Sequence, residues 1–226
     1  MALTLRVVDL TRTLDESSEL WPGTAAMSVA PGESIEDDGS FTRRITLDEH
    51  SGTHFDAPSH FAPDGWHVAD VPAQRLVCPL HVIARPTPAD DPDAVLTATD
   101  VEHHEAVHGR VGAGSAVFLR TDWAGSVTGD PLAFPGFGVD AARLLVEQRG
   151  VIGLGIDTLG IDPGSAGDFP VHRDVTLRRG VWHVENLTSL DQVPPVGAWV
   201  VVGVPRIGGA SGFPARVLAL IPTSAA

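Results

Sequence analysis

The sequence predicts a single layered α/β domain, residues 1–226, in which strands outnumber helices. Seven short segments are rich in aliphatic and β-branched residues. Turns separate them, built from 24 glycines and 18 prolines that are spread through the chain. A chain of 226 residues can bury a proper core, and no break in composition demands a second domain.

The strands are predicted where short apolar runs lie between turns. Some runs, such as Trp199–Val202, are apolar at every position, which is typical of strands covered on both faces. The predicted strands are Leu5–Asp9, Thr42–Leu47, Leu80–Ile83, Ala116–Arg120, Val151–Ile156, Trp199–Val204 and Arg216–Ile221.

Three short helices are predicted from capping residues and stop signals. A Thr-x-x-Glu capping box at Thr99–Glu102 opens the first helix, and Asp140 caps the second. A glycine that follows a helix favours its termination. The predicted helices are Thr99–His108, Asp140–Gln148 with a stop at Gly150, and Asp174–Arg179 with a stop at Gly180.

Charge and composition exclude several classes of function. The net charge is −14, from 15 basic and 29 acidic residues, and no basic run offers a footprint for nucleic acid. No apolar run reaches the length of a membrane span, and the N-terminus lacks the pattern of a signal peptide. We therefore expect a cytoplasmic protein that acts on a small molecule, without a nucleic-acid or membrane partner.

The available side chains restrict the chemistry further. All 15 basic residues are arginine, so Schiff-base chemistry on lysine is impossible, and tyrosine is also absent. Cys78 is the single cysteine and has mostly apolar neighbours, which favours a buried, inert thiol. Histidine, aspartate and glutamate remain as candidate acids and bases.

Three of the ten histidines fall within eleven residues. His50, His54 and His60 share this stretch with Asp56, and all four positions differ by even numbers. In an extended strand these side chains project from one face. A straight strand would place the Cα atoms of His50 and His54 about 13 Å apart, so we expect a bend or bulge at Gly52.

Two imidazoles and a carboxylate suit Zn²⁺, Mn²⁺ or Fe²⁺ and leave positions open for water and substrate. The helical His pair of zinc proteases does not fit, because Gly52, Thr53 and Pro58 disfavour a helix and no Glu follows His50. The alternative is a histidine-rich strand whose side chains merely satisfy their hydrogen bonds. Three histidines and an aspartate on one face favour the metal site.

With these residues the chain resembles the cyclase family of metal-dependent hydrolases, which includes bacterial kynurenine formamidases and isatin hydrolases. The family motif reads His-x-Gly-Thr-His-x-Asp-x-Pro-x-His, and every fixed position is matched. The matching residues are His50, Gly52, Thr53, His54, Asp56, Pro58 and His60.

The resemblance extends over nearly the whole chain. Further matching segments are Asp9–Thr11, Trp21–Gly23, Leu119–Trp123, Gly155–Thr158, Ile161–Pro163, Val171–Arg173, Val184–Leu187 and Pro205–Pro214. Two departures stand out. Gly160 occupies a position where the family usually has Ser, and the span from His172 to Glu185 is one residue longer than usual.

The resemblance implies a swivelling-domain-like, layered β/β/α fold with mixed sheets and few helices, assembled as a homodimer or homotetramer. It also implies one or two divalent ions, Zn²⁺ or Mn²⁺. A first ion would be held by His50, His54 and Asp56, and a second by Asp56, His172 and Glu185. His60 would be the catalytic acid/base; the alternatives are a metal ligand or a partner of Asp56.

The expected function is hydrolysis of a small amide by metal-activated water, with an aryl formamide such as N-formylkynurenine as the first candidate substrate. The alternatives are a cyclic amide or lactone hydrolase of the isatin-hydrolase type, a polyketide-type cyclase or dehydratase, and a metal-binding protein without turnover. Trp21 is expected either to form an aromatic wall for the substrate or to pack in the core against Pro22.

The remaining histidines and serines are expected to be structural. His103, His104 and His108 would lie on a solvated helix face, and His67 and His81 would have structural roles. Packing is the favoured role of Trp182 and His183, and Ser165 and Ser211 are expected to make turns.

Overall fold

The computed structural model describes residues 4–88, 91–123, 125 and 129–223. The strands in the described chain are β1 Thr4–Asp9, β2 Ser28–Pro31, β3 Arg43–Thr46, β4 His54–Asp56, β5 Val77–Ala84, β6 Val95–Leu96, β7 Ala116–Arg120, β8 Gly136–Phe137, β9 Gly153–Ile156, β10 Trp182–Glu185, β11 Ala198–Gly203, β12 Gly212–Pro214 and β13 Arg216–Thr223.

The helical segments are short. The α-helices are α1 Ile35–Asp38, α2 Ala98–His108 and α3 Val139–Arg143, which continues as a π-helical segment Leu144–Gln148. A second π-helical segment, Val171–Thr176, runs into the 3-10 turn Leu177–Arg179, and further 3-10 turns are Pro58–His60, Val68–Asp70, Ala73–Leu76 and Leu190–Gln192. Among the described residues, no helix combines the length and the apolar character that crossing a membrane requires.

One large mixed sheet organises the molecule. Its nine strands follow the order β1-β13-β11-β5-β7-β9-β10-β4-β12, with parallel pairing from β5 to β10 and antiparallel pairing elsewhere. All seven predicted strands exist. Six belong to this sheet, whereas the predicted strand Thr42–Leu47 is β3 of a separate hairpin with β2.

A core lies on each face of the large sheet. On β7, Ala116 and Phe118 point into one core, while Val117 and Leu119 point into the other. The first core unites residues from opposite ends of the strand order, such as Val8, so the sheet curls around it. The second core lies between the sheet and the helices. These layers are β/β/α and confirm the predicted fold.

The three predicted helix starts are wrong in detail, the third because its helical segment begins at Val171 and not at Asp174. Thr97, not Thr99, caps α2: its Oγ1 accepts from the backbone N of Asp100 at 3.2 Å, while Asp100 Oδ2 accepts from Thr97 N at 2.8 Å. Strand β6 ends just before Thr97, so the earlier of two competing threonines is used. Asp140 lies inside α3, and its carboxylate accepts from the backbone N of Ala98 at the start of α2.

The outer face of the sheet is uncovered at one end. Val7, Leu220, Trp199 and Pro79 stand opposite one another on four neighbouring strands. The helices cover β7 and β9 instead, so Trp199 is 45% exposed and Val7 55%. The expectation that both faces of β11 are covered is therefore wrong.

Candidate metal centre and active site

The predicted ligands meet at the edge of the large sheet where β10, β4 and β12 pair. His54 stands opposite Glu185 and Asp56 opposite His183, because β4 and β10 run antiparallel in that register. His172 is brought to the same place by the π-helical segment Val171–Thr176. Strand pairing thus assembles residues that lie more than 100 positions apart in the sequence.

The motif around His54 is bent, not extended throughout. The predicted bend at Gly52 is confirmed by its φ of 61°, a left-handed conformation that favours glycine. The extended geometry that puts alternate side chains on one face applies only to the strand His54–Asp56, and Pro58 opens a 3-10 turn. Thr53 points away from the site and donates to the backbone oxygen of Asn186 at 2.6 Å.

Two overlapping sets of candidate ligands result, which we call site 1 (His50, His54, Asp56) and site 2 (Asp56, His172, Glu185). In site 1, Asp56 Oδ1 lies 2.7 Å from His50 Nδ1 and 3.3 Å from His54 Nε2. In site 2, His172 Nε2 lies 3.0 Å from Glu185 Oε1 and 3.6 Å from Asp56 Oδ2. The extra residue between His172 and Glu185 does not separate them.

The second ring nitrogen of each histidine is committed to a hydrogen bond. His54 Nδ1 lies 2.9 Å from the backbone oxygen of Gly52, which can only accept, so Nδ1 carries a proton. His172 Nδ1 lies 2.6 Å from Asp162 Oδ2, a carboxylate that also accepts from two backbone N–H groups. The nitrogen that faces the site is therefore the unprotonated one in a neutral ring, as a metal ligand requires.

His50 is held in the same way by a longer chain of groups. Its Nε2 lies 3.0 Å from Ser211 Oγ, and that hydroxyl donates to Glu49 Oε2 at 2.8 Å. The Ser211 hydroxyl donates its single proton to Glu49, so its oxygen accepts the hydrogen bond from His50 Nε2. Burial opposes the charge of Glu49, but its bonds from Ser211 keep its pKa below the usual value. Nδ1 of His50 is left to face Asp56.

The unprotonated nitrogens converge on carboxylate oxygens, which are also acceptors. Without a cation, a proton is needed between each nitrogen and the carboxylate oxygen that it faces. Burial disfavours a charged His54, yet Asp56 and Glu185 raise its pKa to about 9. Burial likewise opposes charge on His172, whose pKa is raised well above its usual value by Asp162, Asp56 and Glu185. Both shifts reflect a site built for positive charge.

The surroundings of one buried oxygen atom indicate whether a metal ion fits the site. Asp56 Oδ2 is buried and has no hydrogen-bond partner among the described residues. An unsatisfied buried carboxylate oxygen is costly, and a cation bound there would remove the cost. The donor set of imidazoles and carboxylates is the one that Zn²⁺, Mn²⁺ and Fe²⁺ accept.

His60 lies beside site 1. Its ring stacks on that of His50, with centroids 3.8 Å apart, and one of its nitrogens lies within 4.8 Å of ligand atoms of His50 and Asp56. The surrounding protein, followed by charge on His50 and His172, lowers the pKa of His60 to about 4 against the opposing carboxylates. Part of His60 is open to solvent, which screens these charges. With its pKa lowered to about 4, the His60 ring is neutral at pH 7.

Both sites open into one cavity of about 330 Å³. Trp21 forms part of its wall, in edge contact with Phe134 and beside Phe169. Gly160 lies against the same tryptophan, since a Cβ added there would be 3.4 Å from Trp21 Cζ3. The cavity is lined by Leu20, Trp21, Thr24, His50, Gly52, His54, His60, Phe61, Leu159, Gly160, Phe169, His172, Glu185 and Asn186.

Sequence reasoning misses three contributors. From the sequence, Ser211 is expected only to make a turn and Asp162 is included only in a matching segment, although both are hydrogen-bond partners of candidate ligand histidines. His183 is expected to pack in the core; it is buried, but it also faces site 2. The signal for His183 is its spacing of two from Glu185 on a strand, which puts both on one face.

Comparison with known proteins places the chain in a group of related hydrolases. A family model described as "Putative cyclase" matches residues 8–163. The isatin hydrolase of Roseibium aggregatum is 37% identical over 198 residues, which cover 79% of this chain and 74% of that protein. The kynurenine formamidase of Polaromonas naphthalenivorans is 30% identical over 230 residues, covering 96% and 92%.

Solved structures give the same relationship. Isatin hydrolase A from Labrenzia aggregata, bound to benzyl benzoate, superimposes with a TM-score of 0.89 at 31% identity and covers 97% of this chain and 94% of its own. A structure described as a potential metal-dependent hydrolase with cyclase activity has a TM-score of 0.77 at 25% identity, covering 98% and 100%.

Proposed function

The chain belongs to the cyclase family of metal-dependent hydrolases, and from this premise we propose that its substrate is a small aromatic amide. The bond cleaved is the one between the carbonyl carbon and the amide nitrogen. Hydrolysis of an amide by a metal-dependent enzyme is the activity shared with its relatives.

The lining of the cavity carries this proposal. Trp21, Phe61 and Phe169 provide aromatic surface close to the ligand histidines. Flat aromatic groups stack favourably on such side chains. The chain has no lysine, and no arginine belongs to the described lining, so a carboxylate on the substrate would find no permanently charged partner inside the cavity.

A cyclic amide of the isatin type is the first candidate because it is planar and uncharged. The 37% identity to an isatin hydrolase supports this choice. An aryl formamide such as N-formylkynurenine is the second candidate, supported by the kynurenine formamidases that match over more than nine-tenths of the chain. Both substrates attach the amide nitrogen to an aromatic ring.

Zn²⁺ or Mn²⁺ is the proposed cofactor, held by His50, His54 and Asp56 at site 1 and by Asp56, His172 and Glu185 at site 2. A divalent cation held there would lower the pKa of a water molecule toward about 7 and polarise the amide carbonyl. Asp162 and the Glu49–Ser211 pair keep ligand nitrogens unprotonated and oriented.

His60 is the proposed proton carrier. It is neutral at pH 7, so it can accept a proton from water while the new C–O bond forms. It then gives this proton to the amide nitrogen as the C–N bond breaks, which leaves an amine and a carboxylic acid. Its position beside His50, on the wall of the cavity, suits both transfers.

A homodimer is the proposed assembly, with a tetramer as the alternative. The row of Val7, Leu220, Trp199 and Pro79 offers an apolar surface that a second copy can cover. Such an interface typically buries about 800 Å² on each partner. Light scattering on the wild type and on Trp199→Glu tests this, since a charge in the row should shift the mass toward the monomer.

The test of function is an assay on protein of measured metal content. We expect isatin to be hydrolysed, activity to be lost after chelation, and Zn²⁺ or Mn²⁺ to restore it. Preference for N-formylkynurenine would select the second candidate. Metal-loaded enzyme that cleaves neither substrate, nor a simple formanilide, would contradict the proposal.

A further inference from the structure

His183 lies on the same face of β10 as Glu185, directly opposite Asp56 on β4. Its neighbours Trp182 and Val184 point the other way, into the core inside the curled sheet. His183 is fully buried, and its ring is in edge contact with that of His172, with centroids 4.7 Å apart. It therefore faces site 2 from the sheet side, away from solvent.

Hydrogen bonds determine which nitrogen of His183 carries its proton. Nε2 lies 2.7 Å from Thr176 Oγ1, and that hydroxyl donates to the backbone oxygen of Val171 at 2.8 Å. Thr176 has one hydroxyl proton, so it must accept from Nε2. Nδ1 is left as a bare acceptor.

That acceptor points at another acceptor. His183 Nδ1 lies 3.8 Å from Asp56 Oδ2, and neither atom has a hydrogen-bond partner among the described residues. Two buried acceptors facing each other without a donor are unfavourable. One ligand atom from each of four residues lies within 4.8 Å of the others: Asp56, His172, His183 and Glu185.

We propose that His183 is a ligand of the second metal, so that site 2 is closed by four protein groups. This inference rests on the proposed function for the presence of metal, and goes beyond it by giving the two sites different roles. Four protein ligands are typical of structural sites, whereas three ligands and an open position are typical of catalytic ones. Site 2 retains its ion, while site 1, beside His60, exchanges its ion and receives the substrate.

The test measures metal release. Wild-type protein loaded with Co²⁺ or Zn²⁺ is mixed with a chelator, and the ion that leaves is followed over time together with the Co²⁺ absorption spectrum. We expect a fast and a slow phase. His183→Leu should accelerate the slow phase by at least about tenfold and change the spectrum, because removing a ligand costs no less than removing an outer partner. His104→Leu, another buried histidine, is the matched control and should change neither.

Thr176→Val provides a second variant if His183→Leu fails to fold. It keeps the shape of the side chain but loses the acceptor for Nε2, so the slow phase should accelerate by about tenfold. An unchanged slow phase and spectrum in the folded variants would overturn the role of His183 alone. A wild-type chain that binds no metal at all would overturn the proposed function as well.

Discussion

Two groups of histidines lie in this molecule, and they differ in what surrounds them. The first is the candidate metal centre formed by sites 1 and 2, called the metal centre below. The second, which we call the helix cluster, consists of His104 and His108 on α2 and His81 on β5, with ring centroids 4.9 Å and 5.8 Å apart. His104 is buried, so the expectation of a wholly solvated helix face is wrong for this residue.

The difference lies in the carboxylates. Asp56 and Glu185 face the histidines of the metal centre. In the helix cluster the carboxylate that acts on His81 and His104 is Glu105, which accepts from Arg149 Nε at 2.7 Å and from Arg149 Nη2 at 2.8 Å. His81 Nδ1 and His104 Nε2 are buried without a partner in the described chain.

The pKa shifts of His54 and His104 follow this difference, whereas burial lowers the pKa of His183 despite Asp56 and Glu185. Carboxylates overcome burial and raise the pKa of His54 to about 9. In the helix cluster burial, together with His108 and His81, lowers the pKa of His104 to about 4 despite Glu105. Histidines alone therefore do not make a cation site; the carboxylates and the committed second nitrogens do.

Replacing Asp56, the carboxylate that both sites share, should abolish the difference between the metal centre and the helix cluster. It is the substitution with the largest expected effect. Asp56→Asn keeps the shape of the side chain but loses the charge that both sites share. We expect loss of metal from both sites and loss of activity beyond the factor of about 10²–10⁴ that an acid–base residue supplies. Metal analysis and turnover measure this. An Asp56→Asn variant with its full metal content would show that the carboxylate is not essential for binding.

Replacing the proton carrier should separate activity from metal binding. His60→Gln should lower kcat by about 10²–10⁴ while the metal content stays at the wild-type level. The measurement pairs turnover with metal analysis on one sample. If metal and activity disappear together, His60 is a ligand rather than a proton carrier.

Local spacing predicts only one side of the metal centre. His50, His54, Asp56 and His60 lie within eleven residues, so their pattern is visible in the sequence. His172 can be assigned only through the family resemblance, because its approach depends on the packing of the π-helical segment against a distant sheet edge.

Apolar patterns are misleading for β10 and β11. The apolar neighbours of His183 indicate a core strand, which is true of one face, while the other face carries His183 and Glu185 to the metal centre. Trp199 belongs to an equally apolar run, yet its outer face is open. Apolar runs predict strands well, but which element covers each face depends on contacts between distant segments.

A change in the cavity wall should leave the metal centre intact and shift only substrate binding. Gly160→Ser adds a Cβ 3.4 Å from Trp21 Cζ3 together with a hydroxyl group, and both narrow the space for an aromatic ring. We expect KM for an aromatic amide to rise by about tenfold with metal content unchanged. Gly160→Ala, which adds only the Cβ, should give a smaller rise. Equal KM values in all three proteins would remove Gly160 from the substrate wall.

The smallest effect is expected from the helix cluster, and it concerns acid stability. The pKa of His104 is about 4 in the folded chain, against an ordinary value of 6.5. Between these values the unfolded chain binds more protons, so the free energy of unfolding falls as pH decreases from 6.5 toward 4. His104→Leu removes this group and should lose less stability between pH 7 and pH 5 than the wild type.

Urea unfolding of both proteins at the two pH values isolates this contribution, because the metal centre titrates equally in each. His81 and His108 face the same space and remain in both proteins, as do Glu105 and Arg149. An identical loss of stability in the two proteins would mean that His104 titrates normally. The helix cluster would then not be the low-pKa counterpart of the metal centre, and burial could not explain the difference between the two groups of histidines.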